Sequence, residues 1–435
     1  MLKKITLIIV FISFSAQAQI FDKSKIDSLL SSLEQNDKVM GSMFITKNNK
    51  KGYSNSIGYS SIEKNRKASD KTKYRIGSIT KMYTGVMIFQ LIDDHRLSIE
   101  TPLSNFFPTI KNSQKITIGN LLSHTSGIFN FTRKKDFNPY IAQTHEQMLV
   151  TIEEFKPDFE PDAKTAYSNT NFILLGYILE KKYNKPYAEI LKNQIVSKLN
   201  LKNTYYGGSI NIENFEAESY TFSTKWEKSK ETDMSLPHGA GAIVSTPEEL
   251  TIFMNALMDG KLISKSSFKK MTTIKSGLGY GIGQFSIYDK MLFGHNGGID
   301  GFSSLLIYEP EEKISIAFTS NGSTLDIKNI VIDGLKAVMN TPFKLSSSIE
   351  ISSEELANYT GLYTSLNAPF TLTFLVKEGK LLGGPTGHND NILKAIKEHQ
   401  FKLESEGVTL DFNLEENSLI MSQGGRTFIF TRKTK

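Results

Sequence analysis

The spacing of apolar residues predicts a β-hairpin near each end of the first 340 residues, with helices between the two hairpins. Residues 37–60 join an apolar-rich run to a second strand through the turn residues 48–52. Residues 303–320 repeat this pattern around the polar turn 309–313. Because hairpins rather than strand–helix–strand repeats stand at both ends, we expect an antiparallel sheet in which the two terminal segments pair, with helices packed on it.

Helical spacing is clearest where Met82, Val86 and Phe89 recur three or four residues apart, which predicts a helix over residues 78–94. A hydroxyl cap followed by Pro247 and two acidic residues indicates another helix start. Together with the hairpins, these helices predict an α+β fold. Further helices are predicted over residues 116–126, ended by Gly127, and over residues 169–182.

The last part of the chain follows a different pattern. Residues 344–354 are polar and are predicted to form a linker. Apolar residues then alternate with others, as at Phe370, Leu372 and Phe374, and turn residues separate the runs. We therefore expect a main domain over residues 19–343 and a small antiparallel β-domain over residues 355–435, for which a barrel is one arrangement.

The first 18 residues have the pattern of a secretory leader. Lys3 and Lys4 precede a short apolar run, and Ala16 and Ala18 form a small-x-small cleavage site. The alternative is a membrane anchor, but the run is shorter than the ~20 residues that a spanning helix needs. We expect cleavage after Ala18, a periplasmic or secreted protein, and no membrane span in its mature form.

Composition excludes several classes of function. The net charge of +6 is small and spread along the chain, so nucleic acid is not an expected partner. The absence of cysteine excludes disulfides and a cysteine nucleophile. None of the seven histidines has the H-E-x-x-H spacing of a zinc protease, and His145 and Glu146 lack the second histidine. We therefore expect no metal and no organic cofactor.

The sharpest candidate chemistry is an S-x-x-K pair, Ser78 and Lys81, at the predicted start of a helix. Residues three apart on a helix share a face. A serine hydroxyl is a poor nucleophile until a base takes its proton, and a lysine can be that base if burial lowers its pKa. The pair by itself is also compatible with a hydroxyl cap beside an exposed lysine.

Two further segments carry candidate site residues. Tyr167 and Asn169 precede an apolar helix, where the tyrosine could shuttle a proton, with a pKa lowered by nearby positive charge, and the asparagine could orient a substrate. The alternative is a surface turn with Asn169 as the helix cap. Residues 294–302 hold four glycines, which let a substrate backbone approach a sheet edge where an N–H can bind an oxyanion. The alternative there is a loop with a satisfied histidine.

In this order and at these separations, the three segments resemble the motifs of the serine β-lactamase and penicillin-binding-protein superfamily. The resemblance is closest to its class C β-lactamase, DD-carboxypeptidase and esterase branch, and it covers roughly residues 25–340. It includes the intervening segments 97–103, 116–127 and 240–250. It implies a β-lactamase/transpeptidase-like antiparallel sheet flanked by helices with a helical subdomain, and the C-terminal part resembles the lipocalin-like modules of some members.

The resemblance also implies roles for individual residues. Ser78 would attack a carbonyl and form an acyl-enzyme, Lys81 and Tyr167 would manage the proton, and Asn169 would position the substrate. The backbone N–H groups of Ser78 and Gly298 would form the oxyanion hole. His124 is expected to support the wall of the site, and His238 is a weaker candidate to line it.

Two departures from the family pattern bear on substrate. His295, Asn296 and Gly297 stand where many β-lactamases have K-T-G, so His295, Gly297 and Gly298 are the expected substrate-binding residues of this segment. A neutral histidine holds a carboxylate less strongly than a lysine, which counts against penicillin hydrolysis. Asp162, where the family commonly has glycine, is expected to change only a local turn.

The sequence leaves three substrate classes open: peptidoglycan stem peptides ending in D-alanine, β-lactams, and simple esters or D-amino-acid amides. The partner would be a small molecule or a peptidoglycan-derived substrate. A function of another class also stays open, namely a catalytically weak binding or regulatory protein on the same scaffold.

Overall fold

The computed structural model describes residues 21–274, 278–287, 290–341, 351–387, 391–403, 406–424 and 426–433. The predicted leader, residues 1–18, and residues 344–350 of the predicted linker lie outside the described residues. Over the described residues, no helix combines the length and the apolar character that crossing a bilayer requires.

The two predicted hairpins and the predicted helices near residues 78–94 and 169–182 are present, together with further helices and short strands that the pattern did not predict. The helices are α1 (Ser24–Gln35), α2 (Thr80–Asp93), α3 (Ile118–Leu122), α4 (His145–Glu154), α5 (Asn169–Tyr183), α6 (Tyr187–Leu191), α7 (His238–Gly241), α8 (Pro247–Met258), α9 (Lys265–Met271), α10 (Ile327–Val338) and α11 (Ser353–Leu356). The strands of the main domain are β1 (Val39–Lys47), β2 (Lys50–Ile57), β3 (Tyr59–Ser61), β4 (Arg66–Lys67), β5 (Tyr74–Arg75), β6 (Tyr205–Tyr206), β7 (Tyr220–Phe222), β8 (Trp226–Lys228), β9 (Ile243–Ser245), β10 (Gly283–Ile287), β11 (Lys290–Ile299), β12 (Phe302–Glu309) and β13 (Ile314–Ser323). The C-terminal strands are β14 (Gly361–Thr364), β15 (Leu372–Lys377), β16 (Lys380–Pro385), β17 (Ile392–Lys397), β18 (Gln400–Leu403), β19 (Val408–Asn413), β20 (Ser418–Gln423) and β21 (Arg426–Arg432).

The main sheet confirms the predicted pairing of the two terminal segments. Its strand order is β10-β11-β12-β13-β1-β2, and β1 runs antiparallel to β13 with Phe44 opposite Ala317. The first hairpin turns through Asn48 and Asn49, whose φ angles of 51° and 60° match the two-residue turn that asparagine favours. Residues 302–323 form the second hairpin. Strands that are far apart in the sequence therefore pair at the centre of this antiparallel sheet.

Helices cover both faces of this sheet. On one face, α2 is buried on all sides from Thr80 to Leu91, and it packs with α5 in the largest apolar core. On the other face, α1 and α10 present residues such as Leu30 and Leu335 to the sheet. Burying a side chain the size of Phe89 stabilises the fold by about 1.5–3 kcal/mol, so α2 is held firmly at the centre of the domain. Its first turn therefore gives a rigid position to the S-x-x-K pair.

The C-terminal strands form a closed eight-stranded antiparallel barrel, β14 to β21, which confirms the α+β fold with an added β-domain. Alternate residues point inward, and rings such as Phe401, Phe412 and Phe430 fill the core. The predicted linker ends earlier than expected. Helix α11 begins at Ser353, because Ser352 and Glu355 form a reciprocal capping box that starts a helix.

One predicted helix is shorter than expected. The pattern over residues 116–126 predicted a helix up to Gly127, but α3 covers only residues 118–122. Thr117 caps its start, and the chain leaves the helix before His124, whose φ is 59°. The polar residues that follow α3 bond to the loop at Asp162 instead of continuing the helix.

Candidate active site

Ser78 lies where a short strand meets the central helix. The chain passes from β5 through a 3-10 turn, Gly77–Ile79, directly into α2. Gly77 has a φ of 49°, and a Cβ built on it would lie 2.7 Å from the backbone nitrogen of Gly298. Only glycine allows this close approach, so the turn brings Ser78 against the end of β11.

The Lys81 amine is buried beside the Ser78 hydroxyl. Its Nζ lies 2.9 Å from Ser78 Oγ, 2.8 Å from Asn169 Oδ1 and 2.7 Å from the Ala240 carbonyl oxygen. These hydrogen-bond partners, which all belong to described residues, include no carboxylate. Burial therefore lowers the pKa of Lys81 well below its usual range. The alternative interpretation, in which the lysine is exposed, is therefore wrong.

The three contacts of Lys81 suit the three hydrogens of an ammonium, and they equally suit the neutral amine that burial favours. A neutral amine has two hydrogens to donate and one lone pair that accepts. It can donate to the oxygens of Asn169 and Ala240 and accept the hydrogen of the Ser78 hydroxyl. In that arrangement the lone pair already points at the proton that must leave Ser78 before its oxygen can attack a carbonyl.

Tyr167 closes the site on the side of the hydroxyl. Its ring centre lies 4.9 Å from Lys81 Nζ. Although 40% of the residue is exposed, its hydroxyl is turned toward Ser78. Burial raises the pKa of Tyr167 well above its usual value, against the opposing effect of the hydrogen bond with Ser78. A pKa lowered by positive charge was expected, and this expectation is wrong because the effect of burial is larger.

His124 supports Tyr167 from behind, as expected. The two rings stack with centres 4.5 Å apart. Nδ1 of His124 accepts a hydrogen bond from the Ser168 backbone N–H, and it lies 3.2 Å from the Asn171 amide nitrogen. Burial lowers the pKa of His124 well below its usual value, so the ring is neutral and can accept at Nδ1.

Asn169 is the first residue of α5, and Ser168 holds the cap position. The interpretation of Asn169 as a surface cap is therefore wrong. Its side-chain oxygen accepts from Lys81, and its backbone N–H donates to Asn130 Oδ1. The amide group lies on the cleft wall, with one end committed to Lys81.

The free edge of β11 faces Ser78. Strand β10 pairs with β11 only as far as Gly294, so residues 295–299 extend past it. A Cβ at Gly297 would lie 2.0 Å from the carbonyl oxygen of Ile76, which makes Gly297 a packing position. Gly298 has open space at the same point and lines the cleft. Both expected backbone donors, at Ser78 and Gly298, therefore border the same space.

His295 is buried under this edge. Its Nδ1 lies 2.5 Å from the carbonyl oxygen of Asn296, so Nδ1 carries the hydrogen and Nε2 the lone pair. Burial is the main cause that lowers the pKa of His295, to about 4. The ring is neutral at pH 7, and it offers no positive charge to a substrate carboxylate.

Sequence reasoning missed the ion pair that joins the two oxyanion segments. Arg75, three residues before Ser78, donates to Asp300, two residues after Gly298, over 2.8 Å. Both side chains are almost fully buried. Arg75 also donates to Glu231 over 3.0 Å, which completes a buried cluster. Each residue stands at the edge of a motif, but only the fold shows that the two motifs are tied together.

The cleft in front of Ser78 is small and has apolar walls. Its volume is about 190 Å³. Pockets for drug-sized ligands usually measure about 300–1,000 Å³, so this space suits a small acyl group. No lysine or arginine is present among the described residues that line it. The apolar lining is formed by Phe131, Phe137, Pro139, Leu236 and Pro237.

Two other sequence expectations have clear outcomes. His238 does not line the cleft; it packs among Tyr177, Tyr187 and Tyr206 on the far side of α7. Asp162 has a φ of 62°, the conformation that favours glycine, and its carboxylate accepts hydrogen bonds from Asn120 and Thr125. The turn is thus stabilised by side-chain hydrogen bonds at Asp162.

Comparisons with known proteins agree with this geometry. The family model described as Beta-lactamase matches residues 28–330. The chain is 26% identical over 336 residues, 75% of its length, to the teichoic acid D-alanine hydrolase of Staphylococcus aureus (strain MRSA252), covering 80% of that protein. The fold is similar to a D-stereospecific amidohydrolase from Streptomyces sp., with TM-score 0.63 and 26% identity over 71% of this chain and 97% of that one. An octameric penicillin-binding protein homologue from Pyrococcus abyssi matches with TM-score 0.67 and 21% identity, covering 94% of this chain and all of the other.

Proposed function

The chain belongs to the beta-lactamase family and is a serine hydrolase, and on that premise we propose that it is an exported enzyme that cleaves D-amino-acyl esters and amides. The reaction would pass through an acyl-enzyme on Ser78. The observation that carries this proposal is the contact of 2.9 Å between the Ser78 hydroxyl and the buried amine of Lys81. D-alanyl esters are the first substrates to test.

The first half of the reaction follows from that contact. Neutral Lys81 takes the proton of Ser78, and the serine oxygen attacks the carbonyl carbon of the substrate. The carbonyl oxygen becomes negative and is held by the backbone N–H groups of Ser78 and Gly298. The carbonyl then re-forms, the bond from the carbonyl carbon to the leaving oxygen or nitrogen breaks, and the phenol of Tyr167 gives that atom a proton. The ammonium of Lys81 returns a proton to Tyr167, and the acyl group stays on Ser78.

The second half releases the acid. Water attacks the acyl-enzyme carbonyl, while Lys81 and Tyr167 take up its proton. The bond to the serine oxygen breaks, the free amino acid leaves, and Ser78 recovers its hydrogen. Each step uses groups that lie within hydrogen-bond distance of Ser78 or one contact away.

The charges around the cleft support an ester or amide without a neighbouring carboxylate. Peptides ending in D-alanyl-D-alanine and penicillins both carry a carboxylate next to the scissile amide. The described lining residues include no cation to bind it, and His295 is neutral because burial keeps its pKa at about 4. Leaving a carboxylate unpaired in such a space is unfavourable. A D-amino-acyl ester presents no such group.

The relatives support the D-configuration and the small acyl group. One is named as a hydrolase of D-alanine on teichoic acid, and another as a D-stereospecific amidohydrolase. The small cleft fits a methyl side chain with apolar contacts from Phe131 and Leu236. The leaving group would lie toward solvent, where a larger alcohol or amine has room.

The test uses the purified chain from residue 19 onward with matched substrates. D-alanine and L-alanine p-nitrophenyl esters and p-nitroanilides are compared by release of nitrophenol or nitroaniline. Ser78→Ala is the control, and intact mass is followed during turnover and with benzylpenicillin. We expect faster release from the D-series, an acyl adduct that Ser78→Ala lacks, and little penicilloyl adduct.

Two results would contradict the proposal in different ways. A stable or rapidly turned-over penicilloyl adduct would move the function to penicillins or D-alanyl-D-alanine peptides. No turnover of any substrate, together with no labelling of Ser78 by a fluorophosphonate, would instead favour a binding or regulatory protein on the same scaffold.

Export is a separate part of the proposal and rests on the basic and apolar pattern of residues 1–18. Expression of the full chain in a bacterium, followed by fractionation, tests it. We expect a product that starts at residue 19 outside the cytoplasm. Retention of residues 1–18 in a membrane fraction would indicate an anchor.

A further inference from the structure

A cluster of two histidines and one glutamate lies on the far side of α7 from the cleft. His145 begins α4, Glu180 lies in the last turns of α5, and His238 begins α7. Their ligand-type atoms all lie within 4.8 Å of one another. We propose that His145, Glu180 and His238 form a binding site for a divalent transition-metal ion of the zinc class.

The distances within the cluster support a metal better than direct hydrogen bonds. His145 Nδ1 lies 3.4 Å from Glu180 Oε2, and His238 Nε2 lies 3.5 Å from Glu180 Oε1. Good N–H···O hydrogen bonds have N···O distances of about 2.7–3.2 Å. Two ligands of a tetrahedral zinc ion, each at about 2.0–2.1 Å, are roughly 3.3 Å apart. The two histidine–glutamate separations, which involve different oxygens of Glu180, are each close to that distance.

One carboxylate oxygen of the cluster, Glu180 Oε2, is buried and lacks a hydrogen-bond partner among the described residues. Buried carboxylate oxygens are normally paired, so this atom points to a ligand. Glu180 Oε1 accepts the Tyr187 backbone N–H over 2.8 Å, which fixes the orientation of the carboxylate. The chemistry is that of the two-histidine, one-carboxylate sets that bind zinc.

The two histidines differ in exposure: His238 is buried and His145 is partly exposed. A metal ion that enters from solvent needs one such exposed ligand. His238 is almost fully buried, and its Nδ1 packs against α5 where Gly176 leaves room: a Cβ there would lie 2.5 Å from it. Nε2 therefore faces Glu180. The side chain of His145 is 45% exposed, and it stacks on Tyr177 with ring centres 4.0 Å apart. Rotation of this exposed ring can bring its nitrogen onto the ion.

A bound ion would join α4, α5 and α7. The role expected is structural, because α7 also supplies the carbonyl oxygen of Ala240 that contacts Lys81. The site is independent of the proposed hydrolysis, since none of its three residues borders the cleft. No sequence motif indicates this metal site, because its ligands come from three separate helices.

The test uses the full mature chain without a histidine tag, stripped of metals with a chelator. Zn²⁺ binding is measured by calorimetry, and Co²⁺ binding by its visible absorption, which reports coordination by nitrogen and oxygen. His145→Ala and Glu180→Gln remove one ligand each with little disturbance of the core. His95→Asn, at an exposed histidine that tolerates a positive φ, is the control.

We expect one equivalent of Zn²⁺ to bind, with the intense visible bands of four- or five-coordinate Co²⁺. Binding should weaken roughly tenfold or more in His145→Ala and Glu180→Gln, but not in His95→Asn. Zn²⁺ should also raise the melting temperature of the wild type but not of His145→Ala. Absence of saturable binding, or equal affinity in wild type, His145→Ala and Glu180→Gln, would overturn the proposal.

Discussion

Two buried basic side chains near Ser78, Arg75 and Lys81, have opposite surroundings. Arg75 is paired with the carboxylates of Asp300 and Glu231. Lys81 is fully buried, and the hydrogen-bond partners described for it are neutral oxygens. Burial with a counter-ion keeps a charge in place, whereas burial without one drives the group to its neutral form. Arg75 therefore holds two strands together, and Lys81 becomes available as a base.

The first prediction is the largest and tests whether Lys81 acts by being neutral. We expect Lys81→Arg and Lys81→Met to lower the rate of ester cleavage by about 10²–10⁴-fold, because arginine stays protonated and methionine cannot accept a proton. Release of nitrophenol and the rate of Ser78 acylation are the measurements.

The control for this prediction is folding. Near-ultraviolet circular dichroism should show the same packing in both variants as in the wild type. Near-normal activity of Lys81→Arg would mean that a positive charge, rather than a neutral amine, serves the reaction. That result would remove the contrast with Arg75.

The second prediction concerns a substitution that places a counter-ion beside Lys81, as Arg75 already has one. Asn169→Asp places a carboxylate at the position 2.8 Å from Nζ. The negative charge should raise the pKa of Lys81, so less of the amine is neutral at pH 7. We expect kcat/KM to fall by about tenfold to a hundredfold at neutral pH and to recover as the pH rises.

The pH profile separates this effect from simple loss of a substrate contact. In the wild type, burial lowers the pKa of Lys81, so the rising limb of the pH–rate profile should lie below the pH at which an ordinary lysine titrates. In Asn169→Asp, the rising limb of the plot of kcat/KM against pH should move to higher pH. Asn169→Ala is the control; a lower rate in Asn169→Asp with an unmoved limb would refute the electrostatic explanation.

The third prediction removes the counter-ion of Arg75. Asp300→Asn leaves a buried guanidinium with one partly exposed carboxylate, and breaking such a buried pair costs about 3–5 kcal/mol of unfolding free energy. Glu231→Gln should cost about 1 kcal/mol or less, since that carboxylate is more exposed. Urea unfolding measures both variants.

Activity adds a second measurement for Asp300→Asn. The ion pair ties the segments that carry the backbone N–H groups of Ser78 and Gly298, so kcat should fall more than KM changes. Equal stability of Asp300→Asn and Glu231→Gln would show that the buried pair is not what holds the two segments together.

Local patterns in the sequence predicted much of the fold and of the site. Helix α2 and the two hairpins follow from spacing and turn residues, because those signals act within a few residues. The contact between Ser78 and Lys81 follows from positions three apart on one helical turn. Ser78, Lys81, Tyr167, Asn169 and Gly298 come together as expected, although their catalytic roles stay proposals.

What the sequence could not predict depends on tertiary contacts. Arg75 and Asp300 pair across 225 positions, and no spacing rule connects them. The pKa of Tyr167 was expected to fall, but burial raises it, and only the fold shows how much of Lys81 and Tyr167 is desolvated. The spacing of His145 and Glu146 excluded a zinc-protease motif, yet it gave no information on the partner that α7 supplies.

The last prediction extends the comparison to His295, which like Lys81 is buried and has no carboxylate among the hydrogen-bond partners described for it. Its pKa is about 4 in the folded protein, against an ordinary value near 6.5. Above pH 6.5 the ring is neutral in both the folded and unfolded states and contributes nothing to the pH dependence. Below that pH the unfolded chain binds the proton first, so stability is lost until the pH reaches about 4, by about 3 kcal/mol in total.

His295→Gln removes this titration and should flatten that part of the stability curve. Urea unfolding of wild type and variant at about pH 7 and about pH 4.5 measures the change, and the gap between the two proteins should shift in favour of the variant by about 2–3 kcal/mol at the lower pH. An unchanged gap for His295→Gln would mean that the pKa of His295 is the same in the folded and unfolded protein, so that burial does not suppress protonation of the ring.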